Sequence, residues 1–73
     1  MMQHLRGVLV RLNGDEGEHE VVLEKGVTVR EVLRTVNLLP SLYIVSHEGQ
    51  VLPMSTALHD EVTLEVTRIA SGG

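Results

Sequence analysis

Few residues of this 73-residue chain have the type and spacing to do chemistry. His4, His19, His47 and His59 are scattered, show no metal-ligand spacing and have no Cys to join them. They read as surface imidazoles. No P-loop, no G-x-G-x-x-G run and no nucleophile–base pair is present. Glu18, Glu20 and Glu24 alternate along one strand-like run and read as a solvated face. That leaves Ser71-Gly72-Gly73. Gly packs nothing and loses the most entropy on ordering, so no helix or strand gains from two in a row. The expectation is a flexible thread with a carboxylate at its tip and no side chain to obstruct access. That shape suits passage down a narrow channel where a carboxylate is activated. The plainer alternative is a frayed end, since termini are commonly disordered.

The elements that would position such a thread follow from periodicity. Residues 5–12 alternate as a strand, with Val8, Val10 and Leu12 on one face and Leu9 and Arg11 on the other. Asn13-Gly14-Asp15-Glu16-Gly17 is a turn cluster, its two Gly suited to positive φ. Residues 18–24 alternate again, Val21 and Leu23 inward, and complete a hairpin that Lys25-Gly26 ends. Thr28-Val29-Arg30-Glu31 is a capping box before an apolar stripe of Val29, Val32, Leu33 and Val36. Arg30, Glu31, Arg34 and Thr35 fall on its wet side. Pro40 disfavours helix at Leu39, which predicts a helix over 29–37. A helix of about ten residues depends on tertiary packing. Further strands are predicted over 42–47 and 51–52, with 53–59 irregular. The cleanest strand spans 61–69, with Val62, Leu64 and Val66 on one face and Thr63, Glu65, Thr67 and Ile69 on the other.

The order β-β-α-β-β-β predicts an α+β β-grasp: a mixed four- or five-stranded sheet with one helix across one face. The last strand can pair in parallel beside the first at the sheet centre without breaking a connection rule. A ferredoxin-like fold needs a second helix, which 53–59 is too short and broken to supply. The predicted core is Val8, Val10, Val21, Leu23, Val32, Leu33, Val36, Leu64 and Val66. The division is a domain over 1–69 and a Gly-Gly tail over 70–73.

Composition narrows the function classes. Without Cys there is no disulfide framework, thiolate zinc site or cysteine nucleophile, and a small domain must rely on packing. Apolar residues reach 42%, with Tyr43 the sole aromatic. No run approaches the roughly 20 apolar residues of a membrane span, and the opening residues lack a signal-peptide block. A cytoplasmic protein is expected, with no membrane partner. The net charge of −4 and six scattered Lys and Arg argue against direct nucleic-acid binding. An acidic surface steers toward a basic protein partner.

These residues together resemble the ubiquitin-like sulfur-carrier family, which includes the thiamine-pathway carrier ThiS, the molybdopterin-pathway carrier MoaD and the small modifiers that serve tRNA thiolation. The resemblance covers nearly the whole chain. It rests on Thr28-Val29-Arg30-Glu31-Val32-Leu33 opening the helix and Leu38-Leu39-Pro40 closing it. It continues through Gly49-Gln50-Val51-Leu52-Pro53, then Asp60-Glu61-Val62-Thr63-Leu64-Glu65-Val66, and finishes at Ile69-Ala70-Ser71-Gly72-Gly73. MoaD-like members tend to carry an aromatic and prolines before the Gly pair. Val66-Thr67-Arg68-Ile69-Ala70-Ser71 has neither, which looks more like the thiamine or tRNA-thiolation branch.

The resemblance implies a co-substrate rather than an enzyme. An E1-like adenylating enzyme would use ATP to activate the carboxylate of Gly73, and sulfur would replace AMP to give a thiocarboxylate. A sulfurtransferase or a downstream sulfur-accepting enzyme would be the next partner. The protein itself would carry no cofactor and no catalytic residue. Gly72 and Ser71 would keep the thread narrow. Some family members instead transfer the acyl group to lysines of target proteins, so a protein modifier is the alternative. A β-grasp interaction module with an incidental Gly-Gly is a third reading. Lys25, the only lysine, leaves little scope for modifier-on-modifier chains. Leu9, Val22 and Ile69 fall on the parity opposite the core and are the expected partner-docking patch.

Overall fold

The alternation of the first two runs produces an antiparallel hairpin, β1 (Gly7–Gly14) and β2 (Gly17–Glu24), in which Val10 faces Val21 and Leu12 faces His19. The computed structural model describes residues 7–15 and 17–69. The extension over 1–5 and the 70–73 tail, with Ser71, Gly72 and Gly73, lie outside the described residues. The two turn glycines have different roles. Gly17 has φ +105°, which glycine adopts at no steric cost. Gly14 is not there for positive φ, as the sequence suggested. It pairs with Val66 of the neighbouring strand, whose carbonyl oxygen occupies the place a Cβ would take.

The chain then turns at Gly26 (φ +92°) into α1 (Val29–Thr35). The capping box forms: the Glu31 N–H donates to Thr28 Oγ1 at 3.3 Å and the Thr28 N–H to Glu31 Oε1 at 3.2 Å. The other orphan donors of the first turn find tertiary partners. Val29 N–H donates to the Thr56 carbonyl and Arg30 N–H to that of Met54, both at 3.0 Å. At the other end Asn37 takes φ +65°, its N–H donates to Arg34 O, and the Leu38 N–H reaches back to Leu33 O at 2.9 Å. That is a Schellman stop with Asn in the left-handed position. It ends the helix after seven residues, before Pro40 exerts its effect.

A 3-10 turn over Pro40–Leu42 leads into β3 (Tyr43–His47), and β4 (Gln50–Leu52) returns antiparallel to it. Glu48 and Gly49 join them with φ of +52° and +84°, as a two-residue hairpin of type I′ requires. The final strand, β5 (Val62–Arg68), runs parallel to β1 and antiparallel to β3. The sheet is five-stranded with order β2-β1-β5-β3-β4, the β-grasp arrangement.

The helix packs Val29, Val32 and Leu33 against Val8, Val10, Leu12, Val45, Leu64 and Val66 of the sheet, with Tyr43 and Leu58 in the same cluster. Three expected core residues, Val21, Leu23 and Val36, are only half-buried. Val21 and Leu23 sit on the edge strand β2, which the short helix covers only in part, and Val36 is the helix C-cap. Leu58 was not expected. It is buried because the irregular segment over 53–59 is tied down by Gly26 N–H to Leu58 O (2.7 Å) and Leu58 N–H to Val27 O (2.8 Å). His19 also departs from the surface reading: it is half-buried, with its Nε2 enclosed and without a hydrogen-bond partner.

Leu33 has no exposed surface. Leu33→Ala is expected to cost roughly 2–5 kcal/mol in a denaturant titration, a large share of the stability of so small a domain. Gly14→Ala should cost about 1–3 kcal/mol, because the β1–β5 backbones must separate to admit the methyl. A Gly14→Ala midpoint equal to wild type would contradict the close approach.

Candidate docking face and reacting terminus

With the helix on one face, the open face of the sheet carries the alternate residues of every strand. The registers place Glu20 beside Arg11 and Arg11 beside Thr63. Arg11 is the hub of this rung. Its Nε donates to Glu20 Oε2 at 2.9 Å and its Nη1 to Glu61 Oε2 at 3.0 Å. These hydrogen bonds raise the Arg11 pKa further above its ordinary value. The group is exposed, so the contacts orient side chains more than they stabilise the fold. Nearby, His47 Nδ1 lies 3.2 Å from the Thr63 carbonyl oxygen.

This polar rung divides the apolar residues of the open face. Leu9 and Val22 are direct cross-strand partners at one end, Leu9 half-buried and Val22 58% exposed. Ile69 is not with them. It lies eight residues beyond the level of Leu9 on the parallel β5, where Val10 is level with Val62, so about 26 Å of strand rise separates it from Leu9 and Val22. The expected three-residue patch is therefore two sites, because parity fixes the face of a residue but not its position along the strand.

Ile69 has a neighbour that parity alone did not single out. Ile44 of β3 faces Thr67, and Ile69 follows two residues later on the same face of the chain. The Ile69 N–H donates to Leu42 O at 2.8 Å, which fixes it against the start of β3. Ile44 and Ile69 are 42% and 40% exposed. They form an apolar pair at the end of the sheet from which the chain continues to Ser71, Gly72 and Gly73. The signal for Ile44 was an aliphatic on the open parity of β3. It becomes a pair only once β3 is placed beside β5.

Among the described residues, no group of three His, Cys, Asp or Glu side chains comes together to hold a metal ion. Nor is any helix long and apolar enough to cross a membrane. Lys25 is an exposed turn residue beside Gly26.

No protein-family model matches the sequence, and no curated protein matches it. Solved structures do match by shape. One is a ubiquitin of Caldiarchaeum subterraneum, at 16% identity and a TM-score of 0.69, covering 92% of this chain and 99% of that one. The C-terminal ubiquitin-like domain of human 2'-5'-oligoadenylate synthetase-like protein gives 16% identity and 0.72, over 100% of this chain and 95% of that one. A ubiquitin-like protein from Trypanosoma brucei gives 21% and 0.62, over 89% and 98%. With the five-stranded mixed sheet and its single crossing helix, these likenesses establish the fold: this chain is a ubiquitin-like β-grasp.

Proposed function

We propose that the protein is a sulfur carrier whose reacting group is the carboxylate of Gly73. The observation that carries this reading is a ubiquitin-like β-grasp in which Ser71-Gly72-Gly73 follows the central strand of the sheet after two intervening residues in the sequence. An E1-like enzyme supplies ATP. The carboxylate attacks the α-phosphorus and pyrophosphate leaves, giving an acyl-adenylate. Sulfide then attacks the acyl carbon and displaces AMP, and the product is a thiocarboxylate. This activation is needed because a free carboxylate is a poor electrophile. The carrier contributes presentation alone: a rigid body for docking and a narrow thread for delivery. A downstream enzyme takes the sulfur for tRNA thiolation or for thiamine or a related cofactor.

The second reading, a modifier joined through Gly73 to lysines of target proteins, is supported by the likeness to a protein named as a ubiquitin. Both readings use the same activated acyl group. They part at the nucleophile, and the intact mass of the protein purified from its own cells distinguishes them. Sulfur in place of one oxygen marks the carrier; Gly73 joined to lysines of other proteins marks the modifier.

For docking, we propose the Ile44–Ile69 end of the open face, because an enzyme that receives Gly73 must grip the body near the thread. Ile69→Glu is expected to leave the fold intact and to weaken binding to the activating enzyme by roughly 2 kcal/mol or more, as for a good interface anchor. Val22→Glu, at the far end, should have a smaller effect. A titration in which the two variants bind alike would remove Ile69 from the interface.

Removing Gly72 and Gly73 should leave the unfolding midpoint unchanged and abolish ATP–pyrophosphate exchange with the activating enzyme. One residue appended after Gly73 should do the same. Gly72→Val should slow exchange, since a β-branched side chain stiffens and widens the thread. Full-rate exchange by the shortened protein would leave the interaction-module reading in its place.

A further inference from the structure

Most of the acidic surface of this chain lies on the hairpin and the sheet. The clefts there are lined by Glu18 and Glu20, and by Glu48, Glu61 and Glu65. On the helix side, Glu24 and Glu31 border one flank of α1, beside Arg34, and the other flank is different. A shallow cleft of about 460 Å³ is lined by Arg30, Arg34, Leu39, Pro40, Ser41 and Met54, and no carboxylate borders it.

Arg30 and Arg34 stand one turn apart on the exposed face of α1 and are neighbours by helix geometry. Among the described residues, neither forms an ion pair with a carboxylate. The acid closest to them in sequence, Glu31, is engaged by the Thr28 backbone in the capping box. Arg11, by contrast, already holds two carboxylates. Two like charges at this spacing repel each other, a cost that an incoming anion removes. Each guanidinium presents a planar fork of donors matched to a carboxylate.

The other wall of the cleft is apolar. Leu39 is 63% exposed, and Pro40 and Met54 are half-buried. The backbone on both sides is fixed. Arg30 N–H is bonded to Met54 O, and the Schellman stop at Asn37 and Leu38 aims the chain into Leu39. The cleft is therefore held in shape before any ligand arrives, which lowers the ordering cost of binding.

We propose that this cleft is a second docking surface, which takes an acidic segment of a partner protein with its carboxylates on Arg30 and Arg34 and an aliphatic side chain against Leu39, Pro40 and Met54. Charge complementarity selects the occupant, because this is a positive, carboxylate-free cleft on a protein of net charge −4. The cleft lies on the helix side, whereas Ile44 and Ile69 lie on the open sheet face. The two surfaces adjoin at one end of the sheet, since Ser41 precedes Leu42, whose carbonyl accepts the Ile69 N–H. The inference goes beyond the sulfur-carrier reading and holds whichever nucleophile the acyl group meets.

The test is a titration of the ¹⁵N-labelled full chain with a synthetic peptide of alternating Glu and Leu, followed by NMR. Saturable shifts are expected at Arg30, Arg34, Leu39, Ser41 and Met54, with Val22 and Ile44 unmoved. The affinity should fall as salt rises. Arg30→Glu and Arg34→Glu together should weaken binding at least about tenfold, and so should Leu39→Asp, which touches no part of the core. The same peptide with Lys for Glu should not bind. Shifts that do not saturate, shifts centred on the sheet face, or variants that bind as wild type would each overturn the proposal. So would inorganic phosphate that competes as well as the peptide, because the apolar wall would then contribute nothing. If the double Arg variant loses its dispersed spectrum, Leu39→Asp alone decides.

Discussion

The parallel pairing of β1 with β5 is the contact on which the rest of the molecule depends. Val10 to Gly14 align with Val62 to Val66, joining residues roughly fifty positions apart in the chain. Before that pairing forms, the hairpin and the later strands are separate pieces, neither with enough apolar surface to be stable in water. Closing so long a loop costs entropy that only a shared core offsets. Once formed, the pairing makes one sheet and one face for the helix to cover. Gly14 is the local sign of that constraint, because the carbonyl oxygen of Val66 fills the space of a side chain there.

The helix is the second requirement, and it is a dependent one. Seven residues do not hold a helix in water. Thr28 and Glu31 satisfy two donors locally, but Val29 and Arg30 rely on the carbonyls of Thr56 and Met54. The irregular segment over 53–59 is thus part of the helix terminus. It also supplies Leu58 to the core and Met54 to the cleft beside Arg30 and Arg34. A loop without regular structure thus supplies backbone acceptors to the start of the helix.

The two faces of the sheet differ in character. The covered face carries nearly all the burial. The open face is polar at its centre, where Arg11 holds Glu20 and Glu61, and apolar at its ends. Because β5 is central and its last residues lie beside the start of β3, Ile44 and Ile69 come together where the chain leads on to Gly72 and Gly73. The apolar pair proposed for docking at that end and the basic cleft on the helix side are different in character.

The sequence by itself determined which residues face inward in the first, second and last strands, where the helix begins and the order of the elements along the chain. Each is a local quantity: period-2 alternation at Val8, Val10 and Leu12, or the capping box at Thr28 and Glu31, is written within a few residues. It also offered Ser71-Gly72-Gly73 as the group with chemistry. Tertiary structure alone decided how far along each strand a residue sits relative to its neighbours. That is why Leu9 and Val22 proved to be partners while Ile69 stood apart from them beside Ile44. It likewise decided that Val21 and Leu23 are only half-covered, since a seven-residue helix covers the edge strand only in part. Leu58 and Met54 gained their roles from carbonyls that bond to the helix start, and no periodicity announces such bonds. Register between strands distant in sequence arises from the joint packing of the whole core, so no local window of residues contains it.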